Sequence, residues 1–63
     1  MDLVEKVEQR HEFDTIDDLK DWEEVYSSWS DEEAADGNWY GADYWSDHAK
    51  IVRLMREERE EGA

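Results

Sequence analysis

Apolar residues recur at helical spacing along most of this chain, and the sharpest stretch lies near the middle. Ile16, Leu19, Trp22, Val25, Tyr26 and Trp29 follow one another at intervals of three and four and fill one half of a helical wheel. Asp17, Asp21 and Glu24 occupy the opposite half, and Ser28 extends their row. The pattern predicts an amphipathic helix over residues 14–29. Thr15 stands at its N-cap, with Asp18 three residues on as a capping-box partner. Asp14, Asp17 and Asp18 complement the positive end of the helix dipole.

The flanking segments are less regular. In residues 2–12, Leu3, Val4, Val7 and His11 sit at helical spacing with Glu5, Glu8 and Glu12 between them. A strand ending at Phe13 is the competing reading, although alternation is poor and a lone strand would lack a partner. After Trp29, Ser30-Asp31-Glu32-Glu33 followed by Ala34-Ala35 reads as a second capping signature and predicts a short separate helix. Asp36-Gly37-Asn38 is a turn, with Gly37 as its left-handed residue. Residues 37–42 are expected as a loop whose Trp39 folds back onto the core. The last helix is expected to begin at Asp43 or Ser46 and to run to about residue 60, its final residues fraying. Tyr44, Trp45, His48, Ile51, Val52 and Met55 form its apolar face, and Leu54 lies off that face as a second contact. Asp47–Lys50, Arg53–Glu57 and Arg56–Glu60 stand at ion-pair spacings. The expected fold is mainly α: one small domain over residues 1–63, a compact three- to four-helix arrangement, with residues 2–12 open between helix and strand.

Composition decides whether such a chain can fold alone. At 63 residues without cysteine, no disulfide or thiolate metal site can staple it. Four Trp, three Tyr and one Phe supply large rings instead, each burying roughly 150–250 Å². A disordered acidic tail would be poor in aromatics. A core this small makes both a monomer and a homodimer reasonable.

Charge changes the picture more. The net charge is −13, and residues 14–47 hold twelve of the twenty acids with a single base, Lys20. All the tryptophans and tyrosines lie in that same stretch, whereas residues 48–63 carry four acids and four bases. Like charges this dense destabilise the compact state. The sign argues against direct binding to DNA, RNA or an anionic membrane, which needs Lys and Arg. Nothing in the N-terminal residues reads as a signal peptide, and no apolar run approaches a membrane span, so a cytoplasmic location in a bacterial cell is expected. The natural partner of such a surface is a basic protein.

Candidate chemistry follows from that. Ionised Asp and Glu accept hydrogen bonds and never donate, as phosphate does, so a groove lined with Arg and Lys meets the same chemistry in either. Carboxylates three or four residues apart on a helix lie roughly 5–6 Å from each other, the order of the spacing between neighbouring phosphates on a strand. Asp14, Asp17, Asp21, Glu24, Asp31, Glu32, Glu33 and Asp36, extended by Asp43 and Asp47, are the candidate partner-binding acids. Trp39, beside Tyr40 in the expected loop, is the candidate aromatic contact for an Arg-rich partner. The alternative for the acids is a solvated face, and for Trp22, Tyr26, Trp29 and Trp45 it is the core. No catalytic residue is singled out. There is no cysteine nucleophile, phosphate loop or nucleophile elbow, and so many carboxylates leave no pair distinguished. No cofactor or metal is expected. Glu32–Asp43 fits a calcium loop only with Ala34 in a ligand position, and His48 near Tyr44 and Asp47 lacks two zinc ligands. His11 and His48 are expected as partly buried, hydrogen-bonded side chains.

In size, charge, lack of cysteine and the acid–aromatic stretch of residues 14–47, the chain resembles the small acidic anti-CRISPR and anti-restriction proteins of phages and mobile elements. These mimic DNA and share a strategy, not a motif. The resemblance implies stoichiometric inhibition: the acidic face would occupy the basic channel of a CRISPR effector or restriction-type complex where target DNA should lie. The balanced C-terminal helix, with Lys50, Arg53, Arg56 and Arg59, departs from an all-round mimic and implies a one-sided one. An acidic interaction module, antitoxin-like or an adaptor, and a salt-adapted structural domain are the alternatives.

Overall fold

Capping accounts for where each helix begins and for where α2 ends. The computed structural model describes residues 2–62. Helix α1 spans Leu3–Arg10, α2 Ile16–Ala35 and α3 Trp39–Gly62, and no strand occurs among the described residues. The mainly α fold, expected with three to four helices, is therefore present with three, and the strand alternative for residues 2–12 is not. Asp2 caps α1 by accepting the Glu5 amide at 2.9 Å. Thr15 and Asp18 form the expected reciprocal capping box at the start of α2.

The boundary expected at Ser30 is absent. The Ser30 hydroxyl donates to the Ala42 carbonyl of α3 at 2.7 Å, so it ties two helices together and leaves no amide to be capped. Glu33, Ala34 and Ala35, good helix formers, carry α2 on to the true end. There Asn38 N–H donates to the Glu33 carbonyl and Gly37 N–H to that of Ala34, a Schellman closure. Asn38 then caps the next helix, its Oδ1 accepting the Gly41 amide at 3.1 Å. One residue thus ends α2 and starts α3. The expected 37–42 loop shrinks to the turn at 36–38, and Trp39 opens α3. At the other end α3 continues through Gly62 where fraying was expected, and the expectation for Ala63 lies outside the described residues.

Gly37 adopts φ +81°, and a Cβ built there would meet nothing within 4 Å. Substitution would therefore cost backbone strain alone. Gly37→Ala is expected to lose about 1 kcal/mol, lowering the midpoint of a circular-dichroism melt by roughly 4–8 °C.

The long helices α2 and α3 form an antiparallel hairpin, and α1 lies against α3. Val7, Leu19, Tyr26, Ala49 and Val52 make the buried core, with Leu3, Trp22, Trp45, Ile51 and Met55 packed around it. Tyr26 is its hub. Its fully buried ring contacts those of His11, Trp22, Trp29, Trp45 and His48 at centroid distances of 5.2–5.8 Å, lying nearly parallel to Trp45. His11 and His48 are buried, more deeply than expected, and both are hydrogen-bonded.

Ion pairs tie the helices from outside. Arg56 binds Glu23 of α2 and Glu60 of its own helix, and Arg53 binds Glu57. Partial burial pulls the Arg56 pKa down, but Glu60 and Glu23 more than reverse this and hold it above its ordinary value. The expected Asp47–Lys50 pair is not among the ion pairs of the described residues. Arg59 secures the end of α1, donating to the carbonyls of His11 and Glu12 at 3.2 and 2.9 Å.

Candidate functional site

Because α2 runs unbroken for 20 residues, five of its eight acids share one face, while Asp18, Glu23 and Glu33 do not. At about 100° per residue, Asp17, Asp21, Glu24, Asp31 and Glu32 all fall within roughly 50° of the direction opposite Leu19 and Tyr26. All five are exposed. The row is about 22 Å long at 1.5 Å per residue, with a polar gap at Ser28 and Lys20 at its edge.

The remaining candidate acids are placed elsewhere. Asp14 is partly buried and serves the interior: its Oδ2 accepts from His11 Nδ1 at 2.7 Å. Glu33 turns inward on the wheel, where its Oε2 accepts from Asn38 Nδ2 at 2.8 Å. Asp36 is the exposed C-cap of α2, at the end of the row and off its line. Asp43 and Asp47 are exposed on α3, on the face opposite its buried residues. Two antiparallel helices that pack by their inner faces turn their outer faces apart, so these two acids do not extend the α2 row. They share their face with Lys50 and Leu54. The acids of α2 and those of α3 therefore stand on different faces of the hairpin.

The aromatics also differ from expectation. Trp39 is 69 % exposed, and its neighbour Tyr40 is 86 % exposed. Trp39 was expected both to fold back onto the core and to serve as an aromatic contact; as the first residue of α3 it projects from the hairpin end, so only the packing against the core fails. Trp29 and Tyr44, expected inward, retain 37 % and 45 % exposure. Their rings each lie 4.9 Å from that of Trp45, forming a half-open aromatic shelf. The reason is length: α1 has 8 residues against 20 in α2, about 12 Å against 30 Å, and its C-terminal end is tied to the far end of α3. Helix α1 reaches Tyr44, which lines a cavity with Leu3, Lys6, Val7 and Arg10, and the hairpin end beyond it is left uncovered. Sequence reasoning missed this shelf, and the brevity of the first amphipathic segment was the signal available.

Beneath α1, a carboxylate and a phenol grip one imidazole. A carboxylate only accepts, so His11 Nδ1 carries the proton given to Asp14, and Nε2 meets the Tyr26 hydroxyl at 2.9 Å. Burial pushes the Tyr26 pKa above its ordinary 10.0, Arg10 offsets part of this, and Asp14 and Tyr44 add to the rise. The folded state therefore holds this proton more tightly than the unfolded chain. The resulting stability is complete below pH 10.0 and is lost as pH climbs through the raised value. An alkaline titration followed by circular dichroism should show helix lost above that point, and Tyr26→Phe should blunt the loss.

A groove of about 230 Å³ runs between α2 and α3, lined by Glu23, Lys50, Arg53 and serines, and Asp31, at the edge of the α2 row, borders it as well. Among the described residues, no three His, Asp or Glu side chains gather as metal ligands would, and no helix is long and apolar enough to cross a membrane. Comparison with protein-family models, with characterised proteins and with solved structures gave no match.

Proposed function

We propose that this protein is an inhibitor that presents the outer face of α2 in place of nucleic-acid phosphates and blocks a basic, DNA-binding defence protein of the anti-CRISPR or anti-restriction target type. One observation carries the reading: Asp17, Asp21, Glu24, Asp31 and Glu32 stand exposed on a single uninterrupted helix, with the core on the opposite side. The helix fixes the backbone beneath that row, so only side chains need ordering when Arg and Lys close on it. No catalytic step is required of it.

The test is affinity capture from a bacterial lysate that contains defence systems, with elution along a salt gradient. A nucleic-acid-binding effector released at moderate salt and displaced by duplex DNA is the expected result. A partner retained at high salt and indifferent to DNA would overturn the reading. It would instead favour an adaptor-like interaction module, for which the exposed Trp39, Tyr40 and Leu54 speak. A salt-adapted domain without a special partner would account for exposed acids on all three helices, but it gives no reason for bare rings at the hairpin end. Full folding at low ionic strength would count against it.

A further inference from the structure

At the edge of the core an exposed arginine already lies on a tryptophan. Arg10 of α1 places its guanidinium carbon 5.6 Å from the centre of the Trp22 ring. Trp29 stands seven residues further along α2, two turns on and close to the same face, and the end of α1 leaves it 37 % exposed. A concavity of about 380 Å³ adjoins it, lined by Asp21, Glu24, Val25, Ser28 and Trp29. The Trp29 ring packs by one side against those of Tyr26 and Trp45, at centroid distances of 5.6 and 4.9 Å, and its open side borders this concavity. The indole therefore borders the same hollow as two carboxylates and a hydroxyl.

We propose that this concavity binds an arginine side chain of the basic partner, the guanidinium resting on Trp29 while a carboxylate at its rim, Asp21 or Glu24, accepts its hydrogen bonds. This rests on the inhibitor reading and adds to it a particular contact. Charge complementarity selects the occupant: the surrounding segment, residues 14–47, holds twelve acids and one base. The indole then selects between the two cations. A guanidinium is planar, weakly hydrated and stacks on rings, whereas an ammonium is a compact and strongly hydrated point charge. A purely electrostatic mimic would not distinguish them.

The experiment titrates the protein with an oligoarginine peptide of about six residues and with the oligolysine peptide of equal length, following tryptophan fluorescence and calorimetry. Arginine is expected to bind about fivefold more tightly. Trp29→Leu should erase that preference while leaving lysine binding in place, and Trp29→Phe should keep part of it. Helix content measured in each variant separates loss of contact from loss of fold. Equal affinity for the two peptides, or a preference that survives Trp29→Leu in a folded protein, overturns the proposal. The inhibitor reading would still stand if duplex DNA continued to displace the captured effector. An intact arginine preference in a protein whose partner ignores DNA supports the contact and removes only the inhibitor reading.

Discussion

Tyr26→Ala is expected to abolish the fold at room temperature. The ring is fully buried and touches five others, so its removal opens a hole that the long helices cannot close without moving apart. Losses of about 3–5 kcal/mol are usual for a buried aromatic. A domain of this size holds only about 3–9 kcal/mol in all, at roughly 0.05–0.15 kcal/mol per residue. The change also strips His11 Nε2 of its partner. Tyr26→Phe keeps the ring and deletes only the hydroxyl, so it should cost about 1–3 kcal/mol and leave a folded protein that melts earlier. Far-ultraviolet circular dichroism and tryptophan emission read both variants. A native helical spectrum for Tyr26→Ala, melting within a few degrees of the parent, would show that the ring cluster is not what holds α2 to α3.

The second large effect concerns binding. Asp17→Asn, Asp21→Asn and Glu24→Gln combined should weaken the effector complex about a thousandfold. Each charged hydrogen bond contributes about 1.5 kcal/mol, and 1.4 kcal/mol is tenfold in affinity. The fold should survive, because all three side chains are exposed. Loss of like-charge repulsion should offset the weaker favourable interaction of Asp17 with the N-terminus of α2. Asp43→Asn with Asp47→Asn is the control: those acids face the other way on α3 and should change affinity by less than about threefold. Binding that is untouched by the triple change, or equally sensitive to the control pair, would mean that the partner meets another surface.

Local chemistry made the helices legible. The 3-4 spacing of Ile16, Leu19, Trp22 and Tyr26, the Thr15–Asp18 box and the positive φ of Gly37 are all short-range signals, and each appears where the chain implies it. The acidic row was legible too, as far as it lies on one helix. What was not legible depends on contacts between helices. Ser30 looks like a cap until Ala42 lies opposite its hydroxyl. Asp14 looks like a surface acid until the chain turns His11 back onto Tyr26. Asp43 and Asp47 extend the row in sequence but not in space, because the hairpin rotates their face away. The Arg59 anchor on His11 and Glu12 spans more than 45 residues, and no pattern in the chain announces it.

The short Asp36–Asn38 connection has a kinetic corollary. Helices joined so closely meet through contacts that are near in sequence beside the turn, and little loop entropy is spent in zipping them together. Docking α1 against α3 instead closes a loop containing nearly the whole chain. Assembly should therefore proceed from the hairpin outward, with α1 settling last and His11 meeting Tyr26 in the final step. The reverse process would loosen α1 first, so the amides of Val7 and its neighbours should exchange with solvent before those of α2, while the helix that carries the acidic row stays closed.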